Sequence, residues 1–144
     1  MVENYGNWFD IPYAITYFYN VYGDREISTG KYATLIALFL NKIKNNEKLT
    51  IVSPGTQKRN FTHIEDIISG LILIGENGYG DDFGIGCEKS YTVLEVAKMF
   101  GGDIEMLPER RGNRMVADVI TEKTMKLGWS PKKTLNNYIQ ECLN

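Results

Sequence analysis

The first side chain whose position suits ligand binding is Asn20. An aromatic and β-branched run comes after Pro12 and stops at Asn20 and Gly23, so we predict a buried strand over residues 13–23 that delivers a loop. In open α/β sheets, ligands bind beyond the carboxyl ends of the strands. We therefore expect Asn20 to project its amide into a binding zone.

The sequence offers few groups suited to acid–base chemistry. His63 is the only histidine and lies between an apolar residue and a helix start, so we predict a packed, hydrogen-bonded histidine rather than a general base. A hydrolase built on Asp81, Asp82 or Glu109 is the alternative. Carboxylates in a Gly-rich stretch are more typical of turns, and we therefore set that alternative aside.

Metal and redox chemistry have little support in the sequence. Cys87 and Cys142 are far apart and form no C-x-x-C arrangement, so we expect half-buried free thiols. With one histidine and no paired cysteines, we expect no metal site.

Length and composition favour one domain without a charged or membrane partner. The chain has 144 residues, 43% of them hydrophobic, and a formal net charge of −2. This balance gives no reason to expect nucleic acid or a membrane surface as a partner. We find neither an apolar run long enough to span a bilayer nor an N-terminal targeting signal, and so expect a cytoplasmic protein.

Hydrophobic periodicity predicts alternating helices and short strands, an α/β pattern. The patterns Thr62–Glu65 and Thr92–Glu95 are capping boxes that would start two of the helices. Trp129 is expected to fill a gap in the core. The first predicted helix ends near residue 9, and further helices are predicted over 31–45, 64–74, 93–100, 121–128 and 135–142. Besides the first strand, strands are predicted over 49–52, 82–86 and 104–107.

Four motifs, in order, resemble the extended short-chain dehydrogenases/reductases, the family of NAD-dependent nucleotide-sugar epimerases and dehydratases. Tyr17 and Asp24 replace the Arg and Pro of the first motif, R-x-F-N-V-Y-G-P. Gly84 replaces the Asn of the third, F-N-I-G. The stretches are 19–23, 49–61 (family L-x-I-x-G-x-G-x-Q-x-R-D-F), 83–86 and 109–113 (family R-P-G-D).

The resemblance implies a nucleotide-sugar site. Arg59 and Arg110 would hold the diphosphate from two loops, as guanidinium groups suit paired phosphate oxygens. Thr34 and Leu35 would place a helix N-terminus, with its free N–H groups, beside the same diphosphate. The implied substrate-binding residues are Asn20, Thr34, Leu35, Thr50, Val52, Arg59, Arg110 and Asn113, with the backbone of Thr50 and Val52 reading the edge of a uracil or thymine base.

The family's catalytic and cofactor motifs are missing. None of the nine tyrosines has a lysine four residues later, so the Y-x-x-x-K pair is absent and we assign no catalytic residue. Gly78-Tyr79-Gly80 begins like the dinucleotide fingerprint, but Phe83 replaces its last glycine, and we predict a turn. NAD is the cofactor of the full-length family, and we expect none on this chain alone.

Two functions follow from these observations. In the first, residues 1–144 are one substrate-binding C-terminal region, a partial Rossmann-type sheet plus a small mixed α/β domain, without the NAD-binding N-terminal half. It would bind a UDP- or dTDP-sugar as part of an epimerase or dehydratase, with 4-epimerase preferred, and would be inactive alone. The alternative is a non-catalytic interaction module that forms a homo-oligomer or complements the missing N-terminal half.

Overall fold

Paired short strands, separated by helices, organise the chain in a computed structural model that describes residues 1–109 and 119–144. The class is α/β, as predicted. The elements are α1 Val2–Phe9, β1 Ala14–Phe18, β2 Val21–Tyr22, α2 Leu35–Lys44, β3 Leu49–Val52, β4 Lys58–Asn60, β5 Thr62–His63, α3 Ile64–Asn77, β6 Gly80–Ile85, β7 Ser90–Thr92, α4 Val93–Phe100, β8 Ile104–Leu107, α5 Glu122–Lys126 and α6 Leu135–Leu143.

Most strand pairs are parallel. β1 pairs with β6, β2 with β5 and β3 with β8 in parallel, while β4 and β7 are antiparallel. Parallel partners need crossover connections, and each of the three parallel pairs is separated in sequence by at least one helix. The connections therefore follow the α/β pattern.

The prediction of one buried strand over residues 13–23 was wrong. β1 ends at Phe18, and Tyr17 and Phe18 are 46% and 49% exposed. Asn20 takes a left-handed conformation with φ 36°, which Asn tolerates better than most residues. The chain thereby leaves β6 and continues as β2 on a different partner, β5.

Two hydrophobic clusters form the core. The larger one lies among α2, β3, α4 and α6, where Phe39, Leu49, Val96 and Ile139 are fully buried. The smaller one lies between α3 and β6 and includes Trp129, which is 5% exposed. The Trp129 indole N–H donates to the Asp66 carbonyl over 3.0 Å, so this residue fills the core as predicted.

α2 begins later than predicted, and α3 begins at the predicted residue, Ile64, but with a different cap. α2 starts at Leu35 rather than Lys31, because Thr34 is extended and its N–H donates to the Ile27 carbonyl. α3 has no capping box: Thr62 lies in β5 and its hydroxyl accepts from the Cys87 N–H, so His63 caps the helix instead. The capping box of α4 forms as predicted, with Thr92 and Glu95 bonding reciprocally.

Candidate functional site

A cavity of about 270 Å³ lies beside the N-terminus of α2, next to β2 and β4. Four of the predicted site residues line it: Asn20, Thr34, Leu35 and Arg59. They come from separate parts of the sequence, and the fold brings them to one surface.

Asn20 is held at the cavity by its own backbone and side chain. Its Nδ2 donates to the Asn60 carbonyl over 2.9 Å, and its carbonyl accepts from the Thr62 N–H. The side-chain amide is thus tied to β4. Its Oδ1 oxygen is the atom suited to accept a hydrogen bond from a ligand.

Arg59 reaches the cavity because side chains alternate along β4. Lys58 is exposed and Asn60 is buried on the opposite face, while Arg59 is half-buried at the cavity. Its Nη1 donates to the Lys58 carbonyl over 2.8 Å. A guanidinium presents its five donors in a planar fork, and this geometry suits paired phosphate oxygens.

Thr34 and Leu35 are the N-cap and first residue of α2. The Thr34 side chain makes no capping hydrogen bond to the helix. The first N–H groups of a helix lack intrahelical partners and carry the positive end of the dipole. This end of the cavity therefore suits an anion.

Thr50 and Val52 lie outside the residues that line the cavity. The N–H groups of Leu49 and Ser53 donate to β8 and its preceding residue, so the alternate residues Thr50 and Val52 direct their backbone groups to the other edge of β3. The Val52 carbonyl accepts from the Gly55 N–H there. Arg110 and Asn113 lie outside the described residues.

Sequence reasoning missed two polar residues of the cavity, Glu26 and Gln57. Gln57 is 8% exposed and belongs to the second motif, where its place in a loop gave no sign of burial. Glu26 lies in a polar loop with no motif around it. Only the folded chain reveals that it is enclosed.

The Glu26 carboxylate has an unusual environment. Each of its oxygens exposes less than 1 Å² and has no hydrogen-bond partner among the described residues. Burial raises the pKa of this carboxyl, while the nearby Thr34 hydroxyl and the Ala37 and Gly23 N–H groups lower it in part.

His63 and the Asp81 carboxylate serve structural roles. His63 is 7% exposed, its Nδ1 accepts from the Glu65 N–H, and its ring packs on Tyr22 and Tyr138. It is the packed, hydrogen-bonded histidine that we predicted. Asp81 and Asp82 lie in β6 rather than in a turn, and the Asp81 carboxylate accepts from the Tyr17 hydroxyl and from the Asp82 N–H.

The described residues do not assemble a metal centre: no three His, Cys, Asp or Glu side chains come together at a suitable spacing. Cys87 and Cys142 are half-buried free thiols. None of the helices in residues 1–109 and 119–144 has the length and apolarity needed to cross a membrane.

A dinucleotide does not fit the glycine-rich turn. Gly80, with φ 87°, opens strand β6 rather than a helix, so no helix N-terminus follows to receive a pyrophosphate. The turn is held instead by the Lys123 ammonium, which donates to the Asp81 carbonyl over 2.6 Å.

Part of this chain matches a protein-family model, and nearly all of it is similar in sequence to known proteins. Residues 1–86 match the model of the NAD dependent epimerase/dehydratase family. A putative UDP-glucose 4-epimerase of Methanocaldococcus jannaschii is 28% identical over 99% of this chain and 48% of its own length. The dTDP-D-glucose 4,6-dehydratase of Dictyostelium discoideum is 33% identical over 68% of this chain and 22% of its own length.

Solved structures agree with these relatives. The UDP-glucose 4-epimerase of Thermotoga maritima, crystallised with UDP-glucose, superposes with a TM-score of 0.89 at 26% identity, covering 96% of this chain and 47% of that one. The Methanocaldococcus jannaschii and Thermotoga maritima proteins match nearly all of this chain, and the chain spans about half the length of each.

Proposed function

The chain belongs to the NAD-dependent epimerase/dehydratase family, and we propose that it is the nucleotide-sugar-binding portion of such an enzyme, a 4-epimerase acting on a UDP- or dTDP-sugar. The observation that carries this proposal is the cavity, which gathers Asn20, Thr34, Leu35 and Arg59 at the N-terminus of α2. A relative and a structural neighbour are UDP-glucose 4-epimerases, which supports the choice of reaction.

Two groups at the cavity suit the phosphates of a nucleoside diphosphate. The Arg59 guanidinium offers paired donors to phosphate oxygens, and the α2 N-terminus offers backbone N–H groups. We assign the edge of the base to the backbone of Thr50 and Val52. Arg110 and Asn113, which lie outside the described residues, complete the proposed set.

The chain alone should bind but not catalyse. The Tyr of a Y-x-x-x-K pair needs a neighbouring cation to lower a pKa that is otherwise near ~10, and the sequence has no such pair. The glycine-rich stretch before β6 does not fit the NAD of the family, because Gly80 opens a strand. We propose that the catalytic pair and the NAD site belong to a part of the family's enzymes that this sequence does not include.

Calorimetric titration of the chain with UDP, dTDP and GDP tests the proposal. We expect saturable binding of UDP or dTDP that is lost in an Arg59→Ala, Arg110→Ala double variant. A Lys58→Ala variant is the matched control, since Lys58 is an exposed cation on the face of β4 opposite to Arg59. Equal loss in both variants, or no heat from folded wild-type chain, would refute the proposed site.

A second candidate function is an interaction module, favoured by an apolar surface on α1. Tyr5, Trp8 and Phe9 are 53%, 70% and 63% exposed and contact one another. Patches of this kind mark interaction sites. We propose that this face binds a second copy or the complementing half.

A further inference from the structure

The Glu26 carboxylate lies in the wall of the proposed nucleotide cavity and is not explained by any role assigned above. It lines the nucleotide cavity on one side and a neighbouring cavity of about 250 Å³ on the other. Its two oxygens are shielded from solvent and accept no hydrogen bond of good geometry from the described residues, while the nearby Thr34 hydroxyl and Ala37 and Gly23 N–H groups favour its charged form. An enclosed carboxylate of this kind places a weakly screened negative charge in the cavity wall.

The neighbouring charges do not cancel it. Asp24, Arg25 and Lys44 line the second cavity but are exposed, where solvent and salt screen them. The two ion pairs identified in the described residues, Lys42–Glu47 and Lys133–Glu65, lie elsewhere in the sequence. On the α6 side, Tyr138 is neutral because burial raises the pKa of its hydroxyl well above the usual value.

The charge also lies where a diphosphate would bind. Glu26 borders the same cavity as Thr34 and Leu35 at the N-terminus of α2. The Ala37 N–H of that first turn lies near its carboxylate and favours the charged form. A negative charge at this end reduces the attraction of the helix dipole for anions. Arg59 supplies the opposing positive charge in the same cavity.

From these observations, and resting on the proposed function, we propose that Glu26 is a specificity-determining residue that favours a sugar-esterified nucleoside diphosphate over the free nucleoside diphosphate. A free terminal phosphate carries a second ionisable oxygen with a pKa of about 6. Esterification by a sugar removes that oxygen, so the nucleotide sugar carries about one negative charge fewer at pH 8. The buried carboxylate repels the more highly charged ligand more strongly.

A structural role for Glu26 predicts something different. If the carboxylate only supports the start of α2, its replacement changes stability and affects the two ligands equally. The ratio of the two affinities is therefore the informative quantity.

The test is calorimetric titration of the chain with UDP and with UDP-glucose at pH 8, in wild type, Glu26→Gln and Asp24→Asn. Asp24→Asn is the matched control because it removes an exposed carboxylate from the same loop, outside the nucleotide cavity. For Glu26→Gln we expect the affinity for UDP to rise roughly three- to tenfold, and the affinity for UDP-glucose to change by less than half of that factor. Asp24→Asn should change both by less than about twofold.

Each other outcome contradicts one of the proposals. Equal changes for both ligands, weaker UDP binding in Glu26→Gln, or an equal effect of Asp24→Asn would overturn the role of Glu26 while leaving the site intact. Absence of binding to folded wild-type chain would instead overturn the proposed function, and the role of Glu26 with it.

Discussion

At the scale of single residues, Glu26 makes a prediction about stability that needs no ligand. Because burial raises its pKa in the folded chain, the folded state holds this proton to higher pH than the unfolded state does. Its contribution to stability is therefore fully present below the ordinary glutamate pKa of about 4.3 and is lost as pH rises through the folded value.

Replacing Glu26 by Gln should remove this dependence. We expect Glu26→Gln to be more stable than wild type at neutral pH, with the difference shrinking toward pH 4. Urea unfolding at a series of pH values measures it, and a difference that stayed constant or grew on acidification would contradict the assigned environment.

Gly84 explains one departure from the family motif. A Cβ placed on Gly84 would collide with the carbonyl oxygen and carbonyl carbon of Ile120, both backbone atoms that cannot rotate away. The family's Asn at this place therefore does not fit here.

We predict that Gly84→Asn destabilises the chain by about 2 kcal/mol or more through this overlap. Thermal unfolding followed by circular dichroism is the measurement. Gly75→Asn, in open space on α3, serves as the comparison for the intrinsic cost of the side chain. Similar losses in the two variants would show that Ile120 does not approach Gly84.

At the scale of elements, Asp66 joins α3 to the segment that leads into α6. Asp66 is 3% exposed, and its two oxygens accept from the Lys132 and Lys133 N–H groups, each over 3.0 Å. Asp66 lies in the first turn of α3, where a carboxylate also favours the helix dipole, and its side chain bonds to backbone far along the sequence.

Asp66→Ala should cost about 3 kcal/mol or more, because it leaves two backbone donors without acceptors. Glu65→Ala is the matched control, since Glu65 is a neighbouring carboxylate whose ion pair with Lys133 is exposed and worth ~1 kcal/mol at most. Chemical denaturation of both variants compares them, and equal losses would argue against the Asp66 contacts.

The two capping patterns show what sequence can and cannot predict. Thr92–Glu95 forms its box because every partner lies within one turn. Thr62–Glu65 has the same pattern, yet Thr62 bonds Cys87 and pairs with Val21, both distant in sequence. Local patterns therefore predicted the interiors of α2, α4 and α6, while long-range pairing decided where β1 ended and how α3 began.

The same limit applies to the site. Asn20 was predicted from its place toward the end of a predicted strand, and Arg59 from the resemblance of residues 49–61 to a family motif; the fold brings both to one cavity. Glu26 has no local signature, because its burial depends on α2 and α6 folding over its loop. Its enclosure is visible only in the folded chain.

At the scale of the whole molecule, the exposed aromatic face of α1 should govern association. Trp8 is 70% exposed beside Tyr5. We predict that the chain self-associates as its concentration rises, and that Trp8→Lys shifts it toward monomer, because the charge opposes burial of this face.

Sedimentation velocity over a range of concentrations follows this association. The comparison is Tyr79→Lys, which changes another aromatic side chain that is 62% exposed and contacts the Tyr13 ring. A wild-type chain that sediments as a monomer at every concentration would contradict the interaction-module proposal.

Binding of a nucleoside diphosphate in the cavity beside α2 can be observed directly by an NMR titration of the ¹⁵N-labelled chain with UDP. We predict saturable shifts of the backbone amides of Asn20, Leu35 and Arg59 and of the Asn20 side-chain amide, with little change at Asp81 and Lys126, which lie outside the cavity. Unchanged cavity amides in the presence of excess UDP, or shifts confined to other parts of the chain, would contradict the account.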